Sequence, residues 1–292
     1  MFAITAVVLP AATIAGSLMW IGRTALTESL YREQSETARR ISDRISIHME
    51  HVRSVLSIGA SEPGLAVFPR RRQEESLRRL LRWQDSFKEA FLIDEHGQET
   101  AKLTSQRNRF VPAAMLISRK NRAEYLSPMQ DGKIFVSAAF FAADRLPYLL
   151  AACPVSGRKA VLVARVSLAN LWDLVNEVQQ GQPGIAYIVD TKGNLIAHPD
   201  SLKVQSHTNL ENTEIVRSFL EGRVGHDSFG VHRNERGEKV VALTLSVPDL
   251  RWAVVMETPT RDAYAAIRLM QRQVIRWTLI CTVAVLIFAF WR

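Results

Sequence analysis

The chain lacks most of the residue patterns on which catalytic and metal frameworks are built. Its 292 residues include only two cysteines. Cys281 lies in a C-terminal apolar run, which leaves Cys153 alone in the middle. With no C-x-x-C, neither a disulfide framework nor zinc or dithiol chemistry is expected. Also missing are a G-x-S-x-G elbow, a Walker loop and an H-E-x-x-H helix, so no catalytic residue, metal ligand or cofactor is assigned. The formal net charge is +8, and arginines cluster at Arg70, Arg71, Arg72, Arg78, Arg79 and Arg82. Glu74 and Glu75 dilute them, and no finger, RNP-like run or aromatic platform accompanies them. Nucleic acid is therefore not expected as a partner, and the charge reads as solvated helix faces or contact with anionic lipid heads.

What the chain does have is a repeat. Phe91-Leu92-Ile93-Asp94-Glu95-His96-Gly97 and Tyr187-Ile188-Val189-Asp190-Thr191-Lys192-Gly193 share one grammar, and each reaches an alanine, Ala101 and Ala197, in the same register. An apolar run suits a buried strand, the Asp side chain can bond its own backbone, and the Gly can take φ > 0 where the strand reverses. Asp94 and Asp190 thus read as turn formers before they read as a catalytic pair. His198, before a proline at a strand end, reads first as a local hydrogen-bonder. His226, Asp227 and His232 could meet across a turn, but their spacing fits no defined metal site.

Two apolar runs bracket the chain. Residues 1–22 carry no charged side chain and would make about 33 Å of helix, so they are expected to span a membrane rather than to act as a cleaved signal peptide. Residues 277–292 are expected to form a second, truncated span, flanked by tryptophans suited to an interface. Between them, Ala38, Ile41, Ile45, Met49, Val52 and Leu56 step by three or four and predict a long helix over 23–66. Its apolar face packs on its own domain or on a twin in a homodimer. Strand-like stretches are expected at 133–141, 147–155 and 160–166. A helix capped by Ser167 follows, then a second unit with strands at 240–246 and 252–257. The fold class is α+β: modules at 67–180 and 181–259, then a continuous connecting helix over 260–276.

Leu171-Trp172-Asp173 followed by residues 184–200 resembles the signature of double Cache sensor domains, found in bacterial receptor histidine kinases, chemoreceptors and nucleotide cyclases. Tyr125-Leu126-Ser127-Pro128 is similar to a short Tyr-x-Ser-Pro strand start in that family. The resemblance implies two tandem PAS-like modules on the long helix, flanked by two transmembrane helices. It also implies an extracytoplasmic location at the bacterial inner membrane, a small-molecule ligand in the membrane-distal module and a cytoplasmic output, a histidine kinase first. The Arg-x-Trp-Tyr cluster of amino-acid-binding members is absent.

A small organic ligand, anionic in this reading, is then expected in the distal module. Phe91, Tyr125, Phe135 and Tyr148 would wall it, Ser127 would orient it, and Arg107 or Arg109 would pair a carboxylate. The aromatics can equally be plain core and the arginines solvated. The proximal module around Tyr187 and His198 is the next place to look. Two other functions stay open: a membrane-anchored structural or protein-interaction module without a small-molecule ligand, and a periplasmic hydrolase, which the missing motifs disfavour.

Overall fold

The computed structural model describes residues 2–105, 109–158, 160–179, 184–222 and 227–265, with scattered helical positions between 268 and 287. The first element, α1, runs unbroken from Phe2–Ala60. Its periodic stripe is its buried side: Ala38, Ile41, Ile45, Met49, Val52 and Leu56 are all at most 4% exposed. Gly64, at φ 82°, turns the chain away after it.

The first module packs α2 (Arg70–Trp83) and α3 (Ala123–Asp131) on a seven-stranded sheet. Its strands are β1 (Phe87–Asp94), β2 (Glu99–Thr104), β3 (Arg109–Phe110), β4 (Phe135–Val136), β5 (Phe140–Phe141), β6 (Pro147–Pro154) and β7 (Ala160–Ser167). They run β3-β2-β1-β7-β6-β4, with β5 also on β6, and every pairing is antiparallel. The second module opens with α4 (Asn170–Gln179), β8 (Ile185–Val189) and β9 (Leu195–Ala197). Next come α5 (Ser201–Gln205), α6 (Glu214–Leu220), β10 (Asp227–Arg233), β11 (Lys239–Val247) and β12 (Trp252–Pro259). This sheet runs β10-β11-β12-β8-β9, again antiparallel, and α7 (Thr260–Ala263) follows it.

Because side chains alternate across a strand, each sheet has an inner and an outer face. One continuous core joins both inner faces to α1. It takes Ala90 and Leu92 from β1, Leu162 and Ala164 from β7, Ala186 and Ile188 from β8, and Val254 and Met256 from β12. A buried hydrogen bond from Gln34 Nε2 to Thr258 Oγ1, at 2.9 Å, fixes α1 against the second sheet. The two outer faces carry separate, smaller apolar clusters. The α+β class, with two antiparallel sheets and a long N-terminal helix, therefore stands, although the helix runs Phe2–Ala60 rather than over 23–66.

The two flanking membrane spans are corrected: among the described residues, no helix is long and apolar enough to cross a membrane. A bilayer core needs about 20 consecutive apolar residues. Residues 2–22 form one end of α1, which turns polar from Arg23 onward. Of the run at 277–292, the described residues belong to no helix that meets the requirement.

Two local expectations also shift. Tyr125-Leu126-Ser127-Pro128 lies within α3 rather than at a strand start, and Gly132 N donates to Pro128 O at 3.0 Å to close that helix. The stretch 133–141 holds only the two-residue strands β4 and β5. Ser137 interrupts it by accepting from Leu150 N through Oγ at 2.8 Å. Helix α7 covers Thr260–Ala263, Arg268 N donates to Tyr264 O at 3.1 Å beyond it, and much of the expected connector over 260–276 lies outside the described residues.

Candidate ligand-binding site

The repeated hairpins hold both outer faces in the same way. Asp94 Oδ1 accepts from His96 N and Gln98 N, each at 2.9 Å. Asp190 Oδ1 accepts from Lys192 N and Asn194 N at 2.8 and 2.9 Å. Gly97 and Gly193 both sit at φ 79°, and a Cβ on either would strike the backbone of the segment packed over it, at Lys120 or Glu211. Sequence reading missed a third copy between β10 and β11. Asn234 Oδ1 there accepts from Arg236 N and Glu238 N at 3.0 and 2.9 Å, and Gly237 has φ 75°. The signal was present as the spacing Asn234-x-x-Gly237, but no apolar run precedes it.

This third hairpin rims a cavity of about 390 Å³ on the outer face of the second module. The sheet supplies Ile185, Tyr187 and Glu257, α5 and the turn before it supply His198, Asp200 and Lys203, and the exposed Arg236 and Arg261 also line it. Three polar side chains of the lining are buried: Tyr187 is 2% exposed, and His198 and Glu257 are each 6% exposed. The Tyr187 hydroxyl donates to Glu257 Oε1 at 2.6 Å. Burial, first, and the neighbouring Glu257 charge raise the Tyr187 pKa well above its ordinary value, so the phenol keeps its proton. Burial also raises the Glu257 pKa, opposed by the Tyr187 hydrogen bond and by Lys203. His198 Nδ1 accepts from Asp200 N at 2.8 Å. Burial, and then Lys203, lower the His198 pKa, so its neutral ring carries the proton on Nε2 as a donor.

The distal outer face is arranged differently. Phe91, Tyr125 and Phe135 do come together, in a cluster with Ile93, Ala152, Val161 and Val163. Tyr125 donates to Glu95 O at 2.7 Å. Tyr148 is buried on β6 and donates to Asp144 Oδ2 at 2.6 Å, and burial, with that bond, pushes its pKa up to about 12. Ser127 is partly exposed on α3. Arg109 lies on the edge strand β3 opposite Thr104, and Arg107 falls outside the described residues. The cations of this face are matched by acids. Glu89 holds Lys102 at 2.5 Å and Arg165 at 2.9 Å, and Arg119 holds Glu99 and Glu124 at 2.8 Å each. Arg119 also stacks 4.5 Å over Phe91. Among the described residues, no group of three or more His, Cys, Asp or Glu is placed to hold a metal ion. His226 lies outside those residues, as does any description of the Asp227 side chain.

Two antiparallel-sheet modules strung on one helix, with a polar cavity against one sheet, define a two-module α+β architecture. The chain belongs to the Cache domain family, whose double-module model matches residues 22–267. Among solved structures, it is similar to the ligand-binding domain of the Campylobacter jejuni chemoreceptor Tlp3 in complex with 4-methylisoleucine. That match has 12% identity and a TM-score of 0.65, covering 82% of this chain and 94% of that one. The extracellular domain assigned to the histidine kinase mmHK1S-Z2 matches with 14% identity and a TM-score of 0.63, over 80% and 99% of the two chains. The Pseudomonas aeruginosa PAO1 amino acid chemoreceptor PctC, with GABA, matches with 19% identity and a TM-score of 0.56, over 78% and 99%. No curated protein matches the sequence.

Proposed function

We propose that this chain is the extracytoplasmic small-molecule sensor of a bacterial signalling receptor, working as a homodimer along α1 and reporting to a cytoplasmic output of the histidine kinase type. The cavity of the second module is the observation that carries the proposal: about 390 Å³, within the roughly 300–1,000 Å³ range of small-molecule sites. Its lining mixes an apolar wall with a few buried polar groups, the composition such sites need for orientation. Similar folds that bind 4-methylisoleucine and GABA support the reading. A purely structural module would instead fill this space with apolar side chains.

The cavity is also placed to report. Glu257 lies on β12, and the chain passes directly from β12 into α7, whose Arg261 and Asp262 line the same cavity. An occupant that draws these groups together moves the segment leaving the module. Shifts of about 1–2 Å at such helices are an established switching mode.

A small anionic ligand on the distal face is the second reading, supported by the Phe91, Tyr125 and Phe135 cluster. Its counter-charge would have to come from residues other than Lys102, Arg119 and Arg165, which already have acidic partners. Thermal unfolding of the full chain against a broad library of metabolites tests both readings. A ligand at 100 times its Kd should stabilise the fold by about 2.7 kcal/mol. A library without a single stabilising compound would count against a sensor of either kind. Loss of the shift in Tyr125→Ala but not in Tyr187→Phe would place the ligand in the distal module.

A further inference from the structure

The shared hairpin puts the central strands of both modules in one register, and that register exposes one unbalanced charge. Through the shared hairpin, Phe91 corresponds to Tyr187 and Glu89 to Ile185. In the distal sheet, Phe91 pairs with Val163 and Glu89 with Arg165. In the proximal sheet, Tyr187 pairs with Val255 and Ile185 with Glu257. Arg165 and Glu257 thus occupy the same lattice point on the same outer face.

In the distal module, the charge at that point is balanced across the strand by Glu89, 2.9 Å from Arg165. In the proximal module, the residue across the strand is Ile185, which carries no charge. Among the described residues, the Glu257 carboxylate has one hydrogen-bond donor, the Tyr187 hydroxyl, and no ion pair. The nearby ammonium of Lys203 is paired to Glu235, and the exposed guanidinium of Arg261 to Asp262 at 3.6 Å. A carboxylate that is 6% exposed and has no direct ion pair among the described residues costs stability unless something completes it. Glu257 lines the cavity, so that space is where a completing group would sit.

We infer that the proximal cavity takes a compact organic molecule bearing an ammonium group, with Glu257 as the carboxylate that receives it. The inference rests on the sensor reading and specifies its ligand. An ammonium has three donors and no acceptor, which suits a carboxylate whose first oxygen already accepts from Tyr187. The neutral His198 ring adds a donor on Nε2 for a hydroxyl or carbonyl elsewhere on the same molecule. Apolar contact comes from Ile185, Leu210 and Val240. No covalent step is involved.

The test is calorimetric titration of the full chain with matched sets of one chain length: primary amines and ω-amino acids, the corresponding carboxylic acids, and the corresponding neutral amides. The amine-bearing members should bind at least tenfold tighter than the amides and acids. Glu257→Gln keeps an acceptor for the Tyr187 hydroxyl, and a circular-dichroism melt confirms that it is folded. It should weaken the amines at least tenfold. Tyr187→Phe keeps the charge and should cost the amines less than Glu257→Gln does. Acids or amides binding as well as amines would overturn the ammonium assignment and leave the sensor reading standing. So would amine affinity unchanged in a folded Glu257→Gln. No binding from any set would overturn the assignment too, and the sensor reading would then depend on the broad library.

Discussion

The two outer faces are built from one hairpin and one register, yet one is closed by its own charges and the other is hollow. At equivalent points, the distal face sets Phe91, Glu89 and Arg165 where the proximal face sets Tyr187, Ile185 and Glu257. Glu89 joins Lys102 and Arg165 into an intramolecular network, and Arg119 covers Phe91 while bound to Glu99 and Glu124. The distal charges thus satisfy one another. The proximal module changes the cross-strand acid to isoleucine and inverts the sign of its partner, which leaves a buried carboxylate facing open space. One scaffold thus carries two differently charged outer faces through exchanges at a few equivalent positions.

The largest expected effect would break the comparison itself. Ile45 is 1% exposed in the core that joins both inner faces to α1. Ile45→Ala should cost about 3 kcal/mol and should lower the stability of both modules in one transition. Denaturant unfolding followed by far-UV circular dichroism and by tryptophan fluorescence checks this. Two separated transitions would mean that the modules fold independently and that the shared core does not couple them.

Next in size is the distal network. Glu89→Ala leaves Lys102 and Arg165 without their common anion and should destabilise by about 2–3 kcal/mol in the same denaturant assay. A neutral result would remove the claim that distal charges close that face. Smaller again is a pair of hydroxyl deletions. Tyr187→Phe strips the one described donor from a buried carboxylate and should cost about 1–2 kcal/mol. Tyr125→Phe frees only the Glu95 carbonyl, on an exposed turn residue that water can reach, and should cost about 0.5–1 kcal/mol. Equal costs would show that the Glu257 carboxyl is no more dependent on its donor than a surface carbonyl is.

The smallest effect concerns pH. Burial raises the Glu257 pKa above its ordinary 4.5, so the fold holds that proton more tightly than the unfolded chain does. Its contribution to stability is therefore complete below pH 4.5 and is lost as pH rises through the raised value. Glu257→Gln has no such loss. The variant should melt above the unsubstituted chain at pH 8, with the gap closing at pH 4, in ligand-free buffer. A gap that widened toward acid would reverse the assigned direction of the shift.

Much of the fold was legible because its signals are local. The α1 stripe from Ala38 to Leu56 depends on helical spacing alone, and Asp94 with Gly97 specifies its turn within four residues. Where tertiary context decided the outcome, the reading failed. Tyr125-Leu126-Ser127-Pro128 forms helix although it reads as a strand start, and Ser137 divides what looks like one strand into β4 and β5. Strand β10 escaped notice because Gly230 and charged ends obscure its alternation. The aromatic cluster of Phe91, Tyr125 and Phe135 was foreseen, and Tyr187 and His198 were named as the alternative site. Glu257 was seen only as the end of a strand. Its significance depends on a neighbour about seventy positions away and on an equivalent arginine in the other module, and no window along the chain contains either.

Helix α1 has a further consequence, a mechanical one. Its 59 residues make a rod of about 88 Å. Its uninterrupted buried stripe lies in the second half, from Gln34 to Ala60, and Tyr31 just before it packs edge-on against Phe229 of β10, with ring centres 5.2 Å apart. At about 1.5 Å per residue, residues 2–30 of the helix measure roughly 44 Å, so a tilt of roughly 5° at Tyr31 would displace its start by roughly 4 Å. Rearrangements in the modules too slight to disturb their packing would thus be magnified geometrically at the far end of the same helix.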